Sequence, residues 1–191
     1  MVDKKKCCGC SACVNICPKK CIDMRADKEG FLYPVINKSR CIGCGLCEKV
    51  CPATKKGKEQ TGISAYACKN KDNDIKMKSS SGGAFSVFAE YILENDGVVF
   101  GAMFDENFKV IHGYIDSIDE LYKLRGSKYV QSDMQNSYKK AKEFLDLGKM
   151  VLFSGTSCQI SGLKSYLRKD NANLLCIDVI CHGVPSPLVF K

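Results

Sequence analysis

Eight of the chain's 14 cysteines fall into two runs of identical spacing: Cys7-x2-Cys10-x2-Cys13-x3-Cys17-Pro18 and Cys41-x2-Cys44-x2-Cys47-x3-Cys51-Pro52. In such a run three thiolates brought together by a tight loop hold three corners of one 4Fe-4S cubane, and the fourth thiolate crosses to the other cubane. The Pro after the fourth Cys turns the backbone away from helix, which directs that thiol elsewhere. The runs are offset by 34 residues at every cysteine, so the segment is an internal duplication. The spacing assigns Cys7, Cys10, Cys13 and Cys51 to one cluster, and Cys41, Cys44, Cys47 and Cys17 to the other.

Structural zinc and disulfides are the competing uses of so many cysteines. Zinc needs only four ligands per ion, which leaves the third thiolate and the trailing Pro of each run without a reason to recur. Disulfides need an oxidising compartment. Met1-Val2-Asp3-Lys4-Lys5-Lys6 leads directly into the cysteines with no apolar leader, and no run approaches the roughly 18 apolar residues of a membrane span. The expectation is a cytoplasmic protein in which thiols stay reduced and cysteine richness means metal chemistry.

The net charge of +8 invites a nucleic-acid reading that its distribution opposes. Residues 1–60 carry 13 of the 29 Lys and Arg but only 6 of the 21 Asp and Glu, and the remainder is nearly balanced. Eight thiolates and two oxidised cores of about +2 each bring the first segment down to about +3, so much of the basic excess balances the metal sites. The residual basic rim serves either as a guide for an acidic redox partner or as a solvated surface.

The elements that must position these thiols are sparse. Some 52 residues cannot build a self-sufficient apolar core, so in this segment cluster binding and folding are expected to be one event. Residues 1–54 form the two-cluster domain, with Gly30–Ile36 as a short strand and turn over the clusters, and residues 55–62 form a polar linker. Residues 63–191 then alternate between helix and strand. Ser79-Ser80-Ser81-Gly82-Gly83 precedes a helix whose face is Phe85, Phe88, Ala89, Ile92 and Leu93 and which stops near Gly97. Its Gly-rich start is either an anion seat or a plain N-cap.

Strands are expected over residues 98–104 and 109–115. Capping boxes at Ser117-x2-Glu120 and Ser132-x2-Gln135 open a short helix and a longer one ending before Gly148. A strand at 150–154 runs into a turn, Gly155–Gln159, followed by a helix marked by Ile160, Leu163, Tyr166 and Leu167 and a strand over 174–181. That order is a βαβ unit, so the fold class is α+β or α/β: a two-cluster ferredoxin-like domain followed by a mixed α/β domain. Its functional loops lie beyond the strand C-termini, at Gly155–Gln159 and Cys181-His182-Gly183-Val184-Pro185.

The ferredoxin pair followed by Ser80-Ser81-Gly82-Gly83, Arg125-Gly126-Ser127-Lys128-Tyr129, Gly155-Thr156-Ser157-Cys158-Gln159 and Cys181-His182-Gly183-Val184-Pro185 resembles the coenzyme F420 hydrogenase/dehydrogenase beta subunit family over nearly the whole chain. The resemblance implies FAD, and electron exchange between clusters and coenzyme F420 or another hydride acceptor. No Gly-x-Gly-x2-Gly of a standard dinucleotide site follows a first strand. Ser157 stands where the family loop has Pro, and family members continue into a C-terminal domain beyond the point where this chain stops, which implies a truncated or shortened relative.

On this reading the protein is an iron–sulfur flavoprotein oxidoreductase or a subunit of one, working with a redox partner or other subunits, with neither nucleic acid nor membrane span. A flavin joins one-electron and two-electron chemistry. Ser81, Gly82, Gly83, Gly155 and Thr156 would hold its phosphates, and Arg125 and Lys128 either balance its charge or serve the surface. Cys158 and Cys181 either ligate a further cluster, touch the flavin or fill space as small apolar groups. His182 either exchanges a proton with the flavin or is structural. The alternative is a non-enzymatic ferredoxin-type carrier in which residues 63–191 dock a partner.

Overall fold

The computed structural model describes residues 2–54 and 62–190. The expected linker, 55–62, lies outside the described residues except for Gly62. Within the cysteine segment, helix α1 (Ala12–Ile16) leads to strand β1 (Ile22–Ala26), strand β2 (Leu32–Ile36) and helix α2 (Leu46–Lys49). Strand β2 is the expected strand. It pairs antiparallel with β1, Ile22 opposite Ile36 and Ala26 opposite Leu32. Strand β1 alternates apolar Ile22, Met24 and Ala26 with charged Asp23 and Arg25, and the turn after it sets the pairing with β2. Asp27 accepts the Glu29 and Phe31 N–H groups, and Gly30 takes φ 85°.

The second part adds helix α3 (Asn73–Met77), helix α4 (Ala84–Glu94), strands β3 (Val98–Phe104) and β4 (Val110–Ile115), helix α5 (Ser137–Asp146), strand β5 (Val151–Thr156), helix α6 (Ser157–Leu167) and strand β6 (Leu174–Val179). The sheet order is β4-β3-β5-β6, with β3 antiparallel to β4 and parallel to β5, and β5 parallel to β6. The unit β5-α6-β6 is thus the expected βαβ crossover, and the chain is mixed α/β.

The two-residue period of the strands sorts the core into two layers. Val99 and Leu152 face α4, where Ala89, Ile92 and Leu93 close over them with Ile115, Leu121 and Leu124. Their neighbours Val98, Phe100, Val151 and Phe153 face Tyr138, Ala141 and Leu145 of α5 and Ile160, Leu163 and Leu167 of α6. Phe100 stacks on Phe153 at 5.3 Å between ring centroids, and Tyr138 gives its hydroxyl proton to the Gln159 carbonyl at 2.9 Å.

This second layer also holds Cys10, Ala12 and Val50 of the cysteine segment, so the segment is packed onto the α5/α6 face rather than beside it. Two straps reinforce the contact. The Gln131 side chain accepts the Leu32 N–H at 2.7 Å while its backbone N–H donates to Pro185 O at 3.1 Å. The Ser186 hydroxyl donates to the Glu29 carbonyl.

Three local expectations are corrected. Ser132-x2-Gln135 opens no helix: Gln135 sits at φ 43°, α5 starts at Ser137, and the Ser132 hydroxyl accepts the Gln159 side-chain N–H instead. Ser117 does cap, by accepting the Asp119 N–H, but the element is a 3-10 helix, Ile118–Lys123, and Glu120 pairs with Lys123 rather than completing the box. Gly155–Gln159 is no separate turn, because β5 extends through Thr156 and α6 begins at Ser157.

Gly162 marks the closest approach of α6 to the cysteine segment. A Cβ there would lie 2.7 Å from the Tyr138 hydroxyl and 3.3 Å from the Cys10 sulfur. Gly→Ala in an exposed helix interior gains roughly 1 kcal/mol, but here overpacking reverses the sign. Gly162→Ala is expected to lower stability by about 1–3 kcal/mol in denaturant unfolding. Adding Tyr138→Phe should recover part of the loss, and a neutral or stabilising Gly162→Ala would contradict the contact.

Candidate functional site

The two cysteine runs fold as copies of one another. Residues 9 and 11 in the first and residues 43 and 45 in the second adopt left-handed backbone, as Gly9 (φ 66°), Ser11 (φ 59°), Gly43 (φ 67°) and Gly45 (φ 69°). These bends fold each Cys-x2-Cys-x2-Cys stretch into a loop that ends in a short helix, α1 or α2. Ser11 carries the strain that glycine avoids in the second copy. After each helix the fourth cysteine leaves in a different direction: Cys17 follows α1 with extended backbone (φ −69°, ψ 113°), and Cys51 precedes the Pro52–Thr54 turn of 3-10 helix.

Two cavities result. Cys7, Cys10, Cys13 and Cys51 stand in the wall of the first, with Cys8, Cys47 and Pro34. Cys41, Cys44, Cys47 and Cys17 stand in the wall of the second, with Cys21, Ile22 and Ile36. Cys47 borders both, so the cavities are neighbours. Among the described residues no three His, Cys, Asp or Glu side chains converge as they would around a single metal ion. The sulfurs surround spaces instead, the disposition that a core of several atoms requires.

The electrostatics of the first cavity favour a cationic occupant. Burial pushes the Cys13 thiol up to about 12, and the sulfurs of Cys7, Cys47 and Cys51 push the same way. Cys7 is raised by burial and by Cys51, and Cys47 by burial. Thiolates are the ligating form, so several crowded, desolvated sulfurs can ionise together only against positive charge in their midst. An iron–sulfur core provides that charge, and all-thiol donor sets are its usual holders. The donor chemistry present therefore fits a 4Fe-4S core in each cavity.

The residues that the resemblance connects with flavin fare differently. The 79–83 and 125–128 loops do meet: the Ser127 N–H donates to the Ser80 hydroxyl at 2.9 Å. But Arg125 spends its guanidinium on Ser86 (3.0 Å) and Glu90 (3.2 Å). Lys128 donates to the carbonyls of Lys123 and Arg125, and burial lowers its ammonium to about 8. Gly82 has a packing reason, since a Cβ would lie 2.8 Å from the Cys68 carbonyl. Ser81 is exposed, and Gly83 caps α4 in left-handed backbone without a side-chain hydrogen bond.

Gly155 and Thr156 end strand β5. Thr156 takes the Gln159 side chain on its N–H at 2.9 Å, and its hydroxyl lies 3.2 Å from the Cys158 sulfur. Cys158 is in turn a neighbour of Cys8, whose sulfur, together with burial, raises its thiol strongly. The first turn of α6 is thereby brought to the rim of the first cavity. His182 and Cys181 are exposed, and the Cys181 sulfur accepts the Gly183 N–H of its own loop at 3.3 Å. Cys176 is half-buried in β6, where burial raises its thiol.

Sequence reasoning missed Cys8 and Cys21 as cavity walls, whereas Pro34 and Ile36, from the strand expected over the clusters, do line the two cavities. Cys8 and Cys21 fall outside the repeated register, and only chain folding brings them to the cavities. His112 of β4 is fully buried between Phe153, stacked at 4.8 Å, and the Gly155 backbone. Neither ring nitrogen makes a hydrogen bond of normal geometry. Burial pushes the imidazole down to about 4 against a weaker pull from the Ser154 backbone.

Residues 6–55 match the family described as 4Fe-4S dicluster domain. Residues 65–139 match the family described as coenzyme F420 hydrogenase/dehydrogenase, beta subunit N-term. The two matches follow one another along the chain and agree with the family and layout read from the sequence. No curated protein matches the chain. The matches support an iron–sulfur electron-transfer oxidoreductase subunit, and no described helix is long and apolar enough to cross a membrane.

His112 generates a pH dependence of stability. Its folded value, about 4, lies below the ordinary imidazole value of 6.5, so between the two the unfolded chain holds a proton that the folded chain refuses. The contribution is complete above pH 6.5 and is lost as pH falls toward 4. At pH 5 the loss is about 2 kcal/mol. His112→Phe, which keeps a ring on Phe153, should lose that much less stability than wild type between pH 7 and pH 5 in denaturant unfolding. Parallel pH curves would refute the assignment.

Proposed function

We propose that the chain relays single electrons within an oxidoreductase complex through two 4Fe-4S clusters, one held by Cys7, Cys10, Cys13 and Cys51 and the other by Cys41, Cys44, Cys47 and Cys17. The observation that carries the reading is the crosswise sharing of thiols. Thiols of both copies line each cavity: Cys7, Cys10 and Cys13 share the wall of the first with Cys47 and Cys51, and Cys41, Cys44 and Cys47 share the wall of the second with Cys17. Clusters of this type exchange one electron at a time.

The chain's own residues supply the rest. Cys47 in both cavity walls keeps the two centres close, and Cys10, Ala12 and Val50 dock the first cavity against α5 and α6. Cys8 meets Cys158 at the start of α6. The first cavity is therefore the one that faces the α/β unit, and electrons pass between the two parts on that side. Basic residues near the N-terminus, including Lys5 and Lys6, are exposed and suit an acidic redox partner. A reducing cytoplasm is the setting in which so many free thiols persist.

The resemblance extends this reading to FAD, and beyond it to coenzyme F420 or another hydride acceptor. The meeting of the 79–83 and 125–128 loops supports that extension. The internal commitment of Arg125 and Lys128 weighs against a phosphate site in the chain by itself and favours a carrier that hands electrons to a partner. With both cations committed internally, the residues present do not fit a flavin phosphate.

Anaerobic purification followed by iron, sulfide and flavin analysis tests both parts. About eight irons per chain are expected; folded protein without iron defeats the proposal, and stoichiometric flavin defeats the carrier form of it. Cys13→Ala and Cys44→Ala should each remove about four irons, one from each cavity. Iron content unchanged by either substitution would overturn that part of the ligand assignment.

A further inference from the structure

Cys21 belongs to neither run. The duplicated position 34 residues on is Lys55, so nothing in the repeat calls for a thiol there. The fold nonetheless returns it to the second cavity. Lys20 takes left-handed backbone at φ 48°, and its N–H donates to the Cys17 carbonyl at 3.2 Å, folding residues 17–21 into a closed turn. The turn is pinned from outside, because Cys21 O accepts the Asn37 N–H at 2.8 Å and Lys19 O accepts the Arg40 guanidinium at 3.2 Å.

Within that turn the Cys21 and Cys17 sulfurs lie 3.4 Å apart, and the Cys21 N–H points at the Cys17 sulfur, also at 3.4 Å. Cys21 is only 3% exposed, and it packs with Cys17 and Ile22 against Cys13, Val14, Ile36 and Cys47. Both sulfurs stand in the wall of the cavity that Cys41, Cys44 and Cys47 also line. Three donors of the second cavity are thus fixed by one loop, while the fourth corner, the one served from the other copy, has two sulfurs within van der Waals contact of each other.

We propose that Cys21 is a reserve fourth ligand for the second cavity, able to replace Cys17 at the same iron. While Cys17 ligates, Cys21 stays a thiol and gives its S–H to the Cys17 sulfur. When the Cys17 sulfur is lost, the Cys21 thiol releases its proton to solvent and its sulfur closes the vacated Fe–S bond. No electron is exchanged and the core keeps its composition. The inference rests on the ligand assignment proposed above.

The test is iron and sulfide content, with electron paramagnetic resonance of the reduced protein, for the full chain prepared anaerobically as wild type, Cys17→Ala, Cys21→Ala and the double variant. Each single variant should hold about eight irons per chain, with the spectrum of two coupled clusters, and the double variant about four. The Cys17→Ala spectrum should differ from wild type, because the sulfur that replaces Cys17 enters from another backbone position.

Cys17→Ala at about four irons overturns the inference even if the double variant fails to fold, because the single variant decides it. Cys21→Ala at about four irons overturns it too, by making Cys21 the resident ligand. A folded wild type without iron overturns the ligand assignment itself, whereas wild type at about eight with Cys17→Ala at about four overturns this inference alone.

Discussion

Thiols crowded into a low-dielectric space resist becoming thiolates, and the arrangement of the first 54 residues depends on something positive relieving that resistance. Cys13, pushed up to about 12 by burial and by neighbouring sulfurs, is the clearest instance. The segment has little else to hold its loops. Its helices are four and five residues long, and its sheet has two strands. Helices so short are unstable alone, and the walls of the two cavities take in residues from both cysteine runs and the hairpin between them.

The second source of order is the face offered by α5 and α6. By burying Cys10, Ala12 and Val50 in the layer that contains Phe100, Phe153 and Tyr138, the α/β unit lends the cysteine segment a core it cannot build itself. Gly162 makes that possible at one point, and Gln131 and Ser186 tie the hairpin from the other side. The same packing holds the first cavity against the start of α6, with Cys8 beside Cys158.

The sheet unit also shows why short polar motifs are poor guides to a binding site. Arg125-Gly126-Ser127-Lys128 reads as a cationic loop, yet its two charges are turned inward, one to Glu90 and Ser86 and the other to backbone carbonyls. Gly82 reads as phosphate chemistry, yet it makes room for the chain at Cys68. Side chains with three or four rotatable bonds choose their partners only after the backbone has been placed.

Periodicity and spacing alone determined much of this protein. The 34-residue duplication of the cysteine runs is read from spacing, and the helix over 84–94 and the strands and helix of the β5-α6-β6 crossover are local in origin, because each element's period depends on residues a few positions apart. What the tertiary structure decided involves distance along the chain. The helix expected at Ser132 was displaced when that hydroxyl found Gln159, and His112 was sealed between Phe153 and Gly155. Cys21, out of register in the repeat, met Cys17 only because a left-handed Lys20 folded the turn back. Side chains adjacent in space but not in pattern leave no periodic trace, so only the packed chain could bring them together.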